Sequence, residues 1–142
     1  MKHLYAAVLC LLITIPATRF AAGEGDYSDV TAVMNQLISV QKEYIRALKK
    51  AKKDDEIITA INSFGDSVIS LHPKILEINK KYPGLRSANK IPGNVYELIE
   101  SSKEYSKKVH DMTLLIVYRF SYNKNVKKAI DNMHTRLSPY EN

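Results

Sequence analysis

The side chains of this 142-residue sequence that could carry chemistry are few and widely spaced. Nucleophilic catalysis needs a Ser or Cys beside a base that a third group holds in place. Cys10 is the single cysteine, and it sits in an apolar run near the N-terminus. No serine falls at a strand-to-helix elbow. The five glycines, at 23, 25, 65, 84 and 93, are scattered, so no Gly-rich loop is present to cradle a phosphate. One cysteine makes no internal disulfide, structural zinc site, iron–sulfur cluster or covalent haem. The expectation is a protein that is not an enzyme.

Soft ligands offer more. Met112 lies ten residues before Tyr122 and Met133 eleven after it. If the chain turns at Tyr122 between antiparallel helices, these two sit at about the same height. His110 and His134 are each twelve residues from Tyr122, roughly 18 Å at 1.5 Å per helical residue. Met34, early in the first helix, is expected to approach the same end. Thioether and imidazole ligands together suit Cu(I), and a Met/His pair suits haem iron. Met112, Met133 and His110 are therefore a candidate copper set, and Met34 with His134 a candidate haem b pair. The plainer expectation is that the three methionines fill gaps in the core, that His110 and His134 flank it, and that no cofactor is bound. Asp131-x-x-His134 is the nearest approach to the Glu-x-x-His of di-metal bundles. It reads as a surface pair three residues apart.

Residues 42–53 carry six cations and one acid. Lys49, Lys50, Lys52 and Lys53 close the run, where a helix C-terminus is negative. The run reads as a solvated helix face that complements the helix end. Weak contact with an anionic surface, such as a membrane leaflet or an acidic polymer, is the alternative.

The elements that must position these groups are helical. Residues 1–23 read as a signal peptide: a basic start at Lys2, an apolar run over 4–17 too short to span a bilayer, and Ala21-Ala22-Gly23 before the cut. The mature chain, 24–142, then has no cysteine, and its 19 basic and 15 acidic residues leave +4 of the formal +6, because Lys2 and Arg19 depart with no acid. A periplasmic or secreted location follows, with no transmembrane span after cleavage and no nucleic acid as partner. A homodimer stays open.

With 45% hydrophobic and 25% charged residues the chain suits one globular domain. Over 26–53, Val30, Met34, Leu37, Tyr44 and Leu48 form a 4,3-spaced seam in which Gln41 is the missing beat. Asp26 or Ser28 is positioned to cap its start. Ile57, Ile61, Phe64, Val68, Leu71, Ile75 and Ile78 continue the rhythm in a second helix, with Ile58, Ile69 and Leu76 widening its face and Pro73 predicting a kink. After a connection over 83–93, Asn94 is the expected cap of a third helix. Its expected inner face is Val95, Leu98, Ser102, Tyr105, Val109, Met112 and Ile116. Residues 114–118 are apolar all round. A last helix over 124–137 turns Val126, Ile130, Met133 and Leu137 inward before Pro139. The expected fold is an all-α, up-down-up-down four-helix bundle.

An exported bundle with Asp29-Val30-Thr31-Ala32-Val33-Met34 early in helix 1, and Ala47-Leu48-Lys49-Lys50-Ala51-Lys52 turning into an acidic helix start, resembles the periplasmic four-helix b-type cytochromes. The resemblance implies haem held by a Met of helix 1, which Met34 matches, and by a His near the end of helix 4, which His134 approximates. The tail, Arg136-Leu137-Ser138-Pro139-Tyr140, departs from that family's ending, in which a His follows an aromatic residue. The expected function is a binding or accessory role in the cell envelope, with a haem or Cu(I) carrier as the alternative.

Overall fold

The computed structural model describes residues 27–82, 85 and 91–140. The predicted signal peptide at 1–23 and the capping candidate Asp26 lie outside the described residues. Four helices account for nearly all the rest: α1 Ser28–Lys50, α2 Asp54–Lys81, α3 Gly93–Arg119 and α4 Lys124–Leu137, followed by a 3-10 turn at Ser138–Tyr140. No strand occurs among the described residues, and the protein is an all-α four-helix bundle. None of these helices is long and apolar enough to cross a membrane.

Local chemistry sets the helix limits. Lys52 and Lys53 fall in the connection after α1 rather than in the helix. Their backbone N–H groups donate to the Glu56 carboxylate at 2.7 and 3.3 Å, which starts α2 and holds that carboxyl below its ordinary range. Tyr27, without a side-chain cap bond, precedes α1. α3 starts at Gly93 with Pro92 as its cap, so Asn94 is not the cap. Asn123 caps α4 by accepting from the backbone of Asn125 and Val126. Proline has no N–H to give the Ile69 carbonyl, yet α2 runs through Pro73 without a break.

The seams of α1, α2 and α4 are buried as the spacing predicts. Two expectations need correction. Leu76 does not widen the α2 face: it is 51% exposed, whereas Ile58 and Ile69 pack against the core. On α3 the buried face is Val95, Ile99, Ser102, Ser106, Val109, Thr113 and Ile116. Leu98, Tyr105 and Met112 are only partly buried beside it. The face has turned by one residue at alternate beats: Ile99 replaces Leu98, and the small polar Ser106 and Thr113 replace Tyr105 and Met112.

The reason lies on α1. Gln41 is fully buried, and so is Ser102. Gln41 Nε2 donates to Ser106 Oγ at 2.8 Å, and Ser102 Oγ donates to Gln41 Oε1 at 3.4 Å. Ser106 Oγ has its own proton on the Ser102 carbonyl at 2.9 Å. Three residues on, Tyr44 and Thr113 bond through their hydroxyls at 2.9 Å. The Thr113 proton goes to the Val109 carbonyl, so Tyr44 is the donor of that bond. A buried amide is stable only with such partners, and a large apolar face on α3 would leave Gln41 without them.

Gln41→Ala is expected to cost about 2 kcal/mol, because a cavity opens and the Ser102 and Ser106 hydroxyls each lose a partner. Ser106→Ala should cost less in that background than in the natural chain. Denaturant unfolding of the four proteins measures the coupling, and additive effects would show that the ladder contributes nothing of its own.

These contacts also fix the arrangement. α1 and α3 run parallel, since Gln41 meets Ser102 and Ser106 and Tyr44 meets Thr113. α2 and α4 run parallel too, with Asp54 against Asn123, Gly65 against Met133 and Asp66 paired with Arg136. Helix directions alternate along the chain. The close packings are α1 with α2, α1 with α3, and α2 with α4. Between α2 and α3 in the chain, Leu85 and Ile91 are seated in the core, 2% and 1% exposed. Where α1 begins and α2 ends, Asp29 accepts from Lys81 at 2.6 Å and from the Tyr82 hydroxyl at 2.9 Å, while the Tyr82 ring lies tilted against Tyr27. The Lys81 ammonium is the main reason the Asp29 carboxyl lies below its ordinary range.

Candidate functional site

α3 and α4 are joined by the tight turn at 120–123, yet they are not one of the closely packed pairs. A cleft of about 530 Å³ lies between them. Val117 and Phe120 of α3 and its end form one wall, and Val126 and Ile130 of α4 the other. Asp131 and His134, three residues apart on α4, supply polar groups, and Lys127 stands toward the turn. Thr113 also lines the cleft, with its hydroxyl bonded to Tyr44 and Val109. Behind it the Tyr44–Phe64 stack, with ring centroids 4.4 Å apart, belongs to the α1/α2 interface.

A second hollow, about 600 Å³, runs between α1 and α2. Ala47, Ala51, Ala60 and Ser63 make much of its lining. Small residues there let the two helices approach, and the Tyr44 and Phe64 rings line the same hollow. The α3/α4 cleft sets Val117, Phe120, Val126 and Ile130 beside a few polar groups, Asp131 and His134 among them, the pattern of a small-molecule site.

The residues singled out from the sequence are divided by this geometry. His134 lines the cleft, while its neighbour Met133 points into the core at 2% exposure and touches Gly65 of α2. Met34 is also buried, at 5% exposure. It lies ten residues before Tyr44, whose partner Phe64 is next to Gly65. Met34 is thus about 15 Å along the bundle from the level of Met133. The expectation that Met34 approaches the same end as Met133 and His134 does not hold. Met34 and His134 are therefore not brought to one level of the bundle. Met112 and His110 are half-buried on α3. No group of three or more His, Cys, Asp and Glu side chains converges among the described residues. Lys49, Lys50, Lys52 and Lys53 are all exposed.

Sequence spacing had no means of locating the cleft, because it depends on which helices fail to meet. Its trace was residues 114–118: a helix with one neighbouring face to cover has more apolar side chains there than that face needs. The chain matches no protein-family model, and no curated protein or solved structure is significantly similar to it.

Proposed function

We propose that the protein is a non-catalytic binding protein of the cell envelope, exported by its first 23 residues, and that the α3/α4 cleft is its ligand site. The observation that carries this reading is the cleft itself. Its volume, about 530 Å³, falls within the range of small-molecule sites, and a few polar groups beside an apolar wall are what orient a ligand there. Val117, Phe120, Val126 and Ile130 suit an apolar body, and Asp131 and His134 suit a hydrogen-bonding head group. The ligand class is a small amphiphile. The polar groups are spread along one face of α4, which favours holding a ligand over breaking a bond in it.

A neutral, environment-sensitive probe, N-phenyl-1-naphthylamine, tests this reading without drawing on the protein's charge. Binding at micromolar concentration is expected. Val117→Trp, at a half-buried position, should weaken it by about tenfold or more, a loss of about 1.4 kcal/mol. Ala47→Trp, in the α1/α2 hollow, should leave it unchanged. No binding by the natural chain, or an equal loss in both variants, would remove the cleft as the ligand site.

A further inference from the structure

One end of the bundle collects charge that the sequence distributes over distant segments. α1 ends there with Arg46, Lys49 and Lys50, and the connection to α2 adds Lys52 and Lys53. α3 ends there with Arg119, and α4 begins there with Lys124, Lys127 and Lys128. The bond between Asp54 and Asn123 joins the two connections into one surface. Against these nine cations stand Asp54, Asp55, Glu56 and Asp131, so this end carries a net +5 where the whole chain carries +6. All nine cations are exposed. None takes part in the ion pairs among the described residues, which are Lys81–Asp29, Lys103–Glu100, Lys108–Glu104 and Arg136–Asp66.

A second feature has the same address. Four large apolar or aromatic residues stand out as exposed: Leu76, Leu115, Tyr118 and Tyr122. The last three, at 60%, 85% and 99% exposure, run along one edge of α3 into its turn. Helix-end complementation accounts for the lysines of α1. It accounts neither for cations in the first turns of α4, where the macrodipole is unfavourable to them, nor for bare tyrosines beside them. Tyrosine has an apolar body and a polar tip, which suits the headgroup layer of a bilayer. Clustered Lys and Arg are drawn to anionic headgroups over about one Debye length, roughly 8 Å at physiological salt.

We propose that this end of the bundle docks on a bilayer surface containing anionic phospholipids, with Leu115, Tyr118 and Tyr122 in the headgroup layer and the surrounding lysines against the phosphates. An acidic polymer would satisfy the cations and leave the tyrosines and Leu115 in water, so the lipid surface is the better fit. Phe120, Val126 and Lys127 line the α3/α4 cleft and belong to this same end, so docking would bring the cleft close to the lipid. Docking itself does not depend on the cleft being a ligand site.

Sedimentation with large unilamellar vesicles tests the proposal. The purified protein should pellet with phosphatidylglycerol/phosphatidylcholine vesicles at physiological salt and remain in solution with phosphatidylcholine alone. A retained apolar N-terminus would partition into both, so equal binding to the two overturns the proposal. Replacing Lys49, Lys50, Lys52 and Lys53 by alanine should weaken binding by about tenfold or more, as should raising the salt. Tyr118→Ser/Tyr122→Ser, which changes no charge, should also weaken it several-fold. No pelleting with anionic vesicles, or pelleting indifferent to the tyrosines, overturns the proposal, and heparin binding in place of vesicle binding would assign the surface to an acidic polymer. The four-lysine variant should still bind N-phenyl-1-naphthylamine, and Val117→Trp should still bind vesicles, so failure of one reading is separable from failure of the other.

Discussion

Phe64→Ala is expected to destabilise the fold by about 3–5 kcal/mol, the usual result of deleting a buried aromatic ring. Phe64 is 3% exposed and stacks on Tyr44 with ring planes 26° apart, at the centre of the α1/α2 interface. Deletion removes the ring's burial and leaves one face of Tyr44 without a neighbour. The α1/α2 hollow also touches both rings, so truncation would enlarge a space already present, and collapse around the shortened side chain is opposed by the small residues nearby. Phe64→Leu retains most of the volume and should cost roughly a third as much. Guanidinium unfolding monitored by far-ultraviolet circular dichroism gives both values. A loss under about 0.5 kcal/mol, typical of a surface site, would place the ring outside the core.

Three of the four seams were legible because each buries large apolar residues at helical spacing. Ile57 to Ile78 on α2 needs only the rule that apolar side chains avoid water. α3 departs from its expected face for a physical reason. Its inner face uses Ser102, Ser106 and Thr113, whose burial depends on what Gln41 and Tyr44 offer from α1. Periodicity in one helix holds no record of its partner's hydrogen-bonding groups, and Gln41 entered the spacing only as a gap. Leu85 and Ile91 were missed similarly, since a lone apolar residue among turn-formers has no period. Helix directions followed from short connections. The contact order did not: α1 with α3 rests on polar pairing, and α2 with α4 on Gly65 against Met133 and Asp66 with Arg136. The basic surface was half legible. Lys49 to Lys53 is a run in the chain, but its union with Arg119, Lys124, Lys127 and Lys128 appears only when the helix ends meet.

Stability is expected to fall in alkali by about 2–3 kcal/mol through Tyr44 alone. Burial pushes its hydroxyl from the ordinary value of 10.0 up to about 12, with the Thr113 hydroxyl, able to turn toward a phenolate, working against the rise. The sign follows from which state keeps the proton. Below pH 10 the phenol is protonated whether the chain is folded or not, and the contribution of its burial is fully present. Between pH 10 and 12 the unfolded chain releases this proton and the folded chain retains it, so unfolding gains free energy. Above about pH 12 both forms are ionised and the loss is complete. Tyr44→Phe isolates this effect from the other tyrosines. At neutral pH the variant should be about 1 kcal/mol less stable, having lost the donor to Thr113, whose own proton still reaches the Val109 carbonyl. It lacks the buried titration, so its stability should decline less steeply with pH, and the two curves should cross between pH 10 and 12. Urea midpoints at half-unit pH intervals from about 8 to 12 test this. Parallel curves would show that the Tyr44 hydroxyl titrates as an exposed phenol, and the buried pairing of α1 with α3 would be wrong with it.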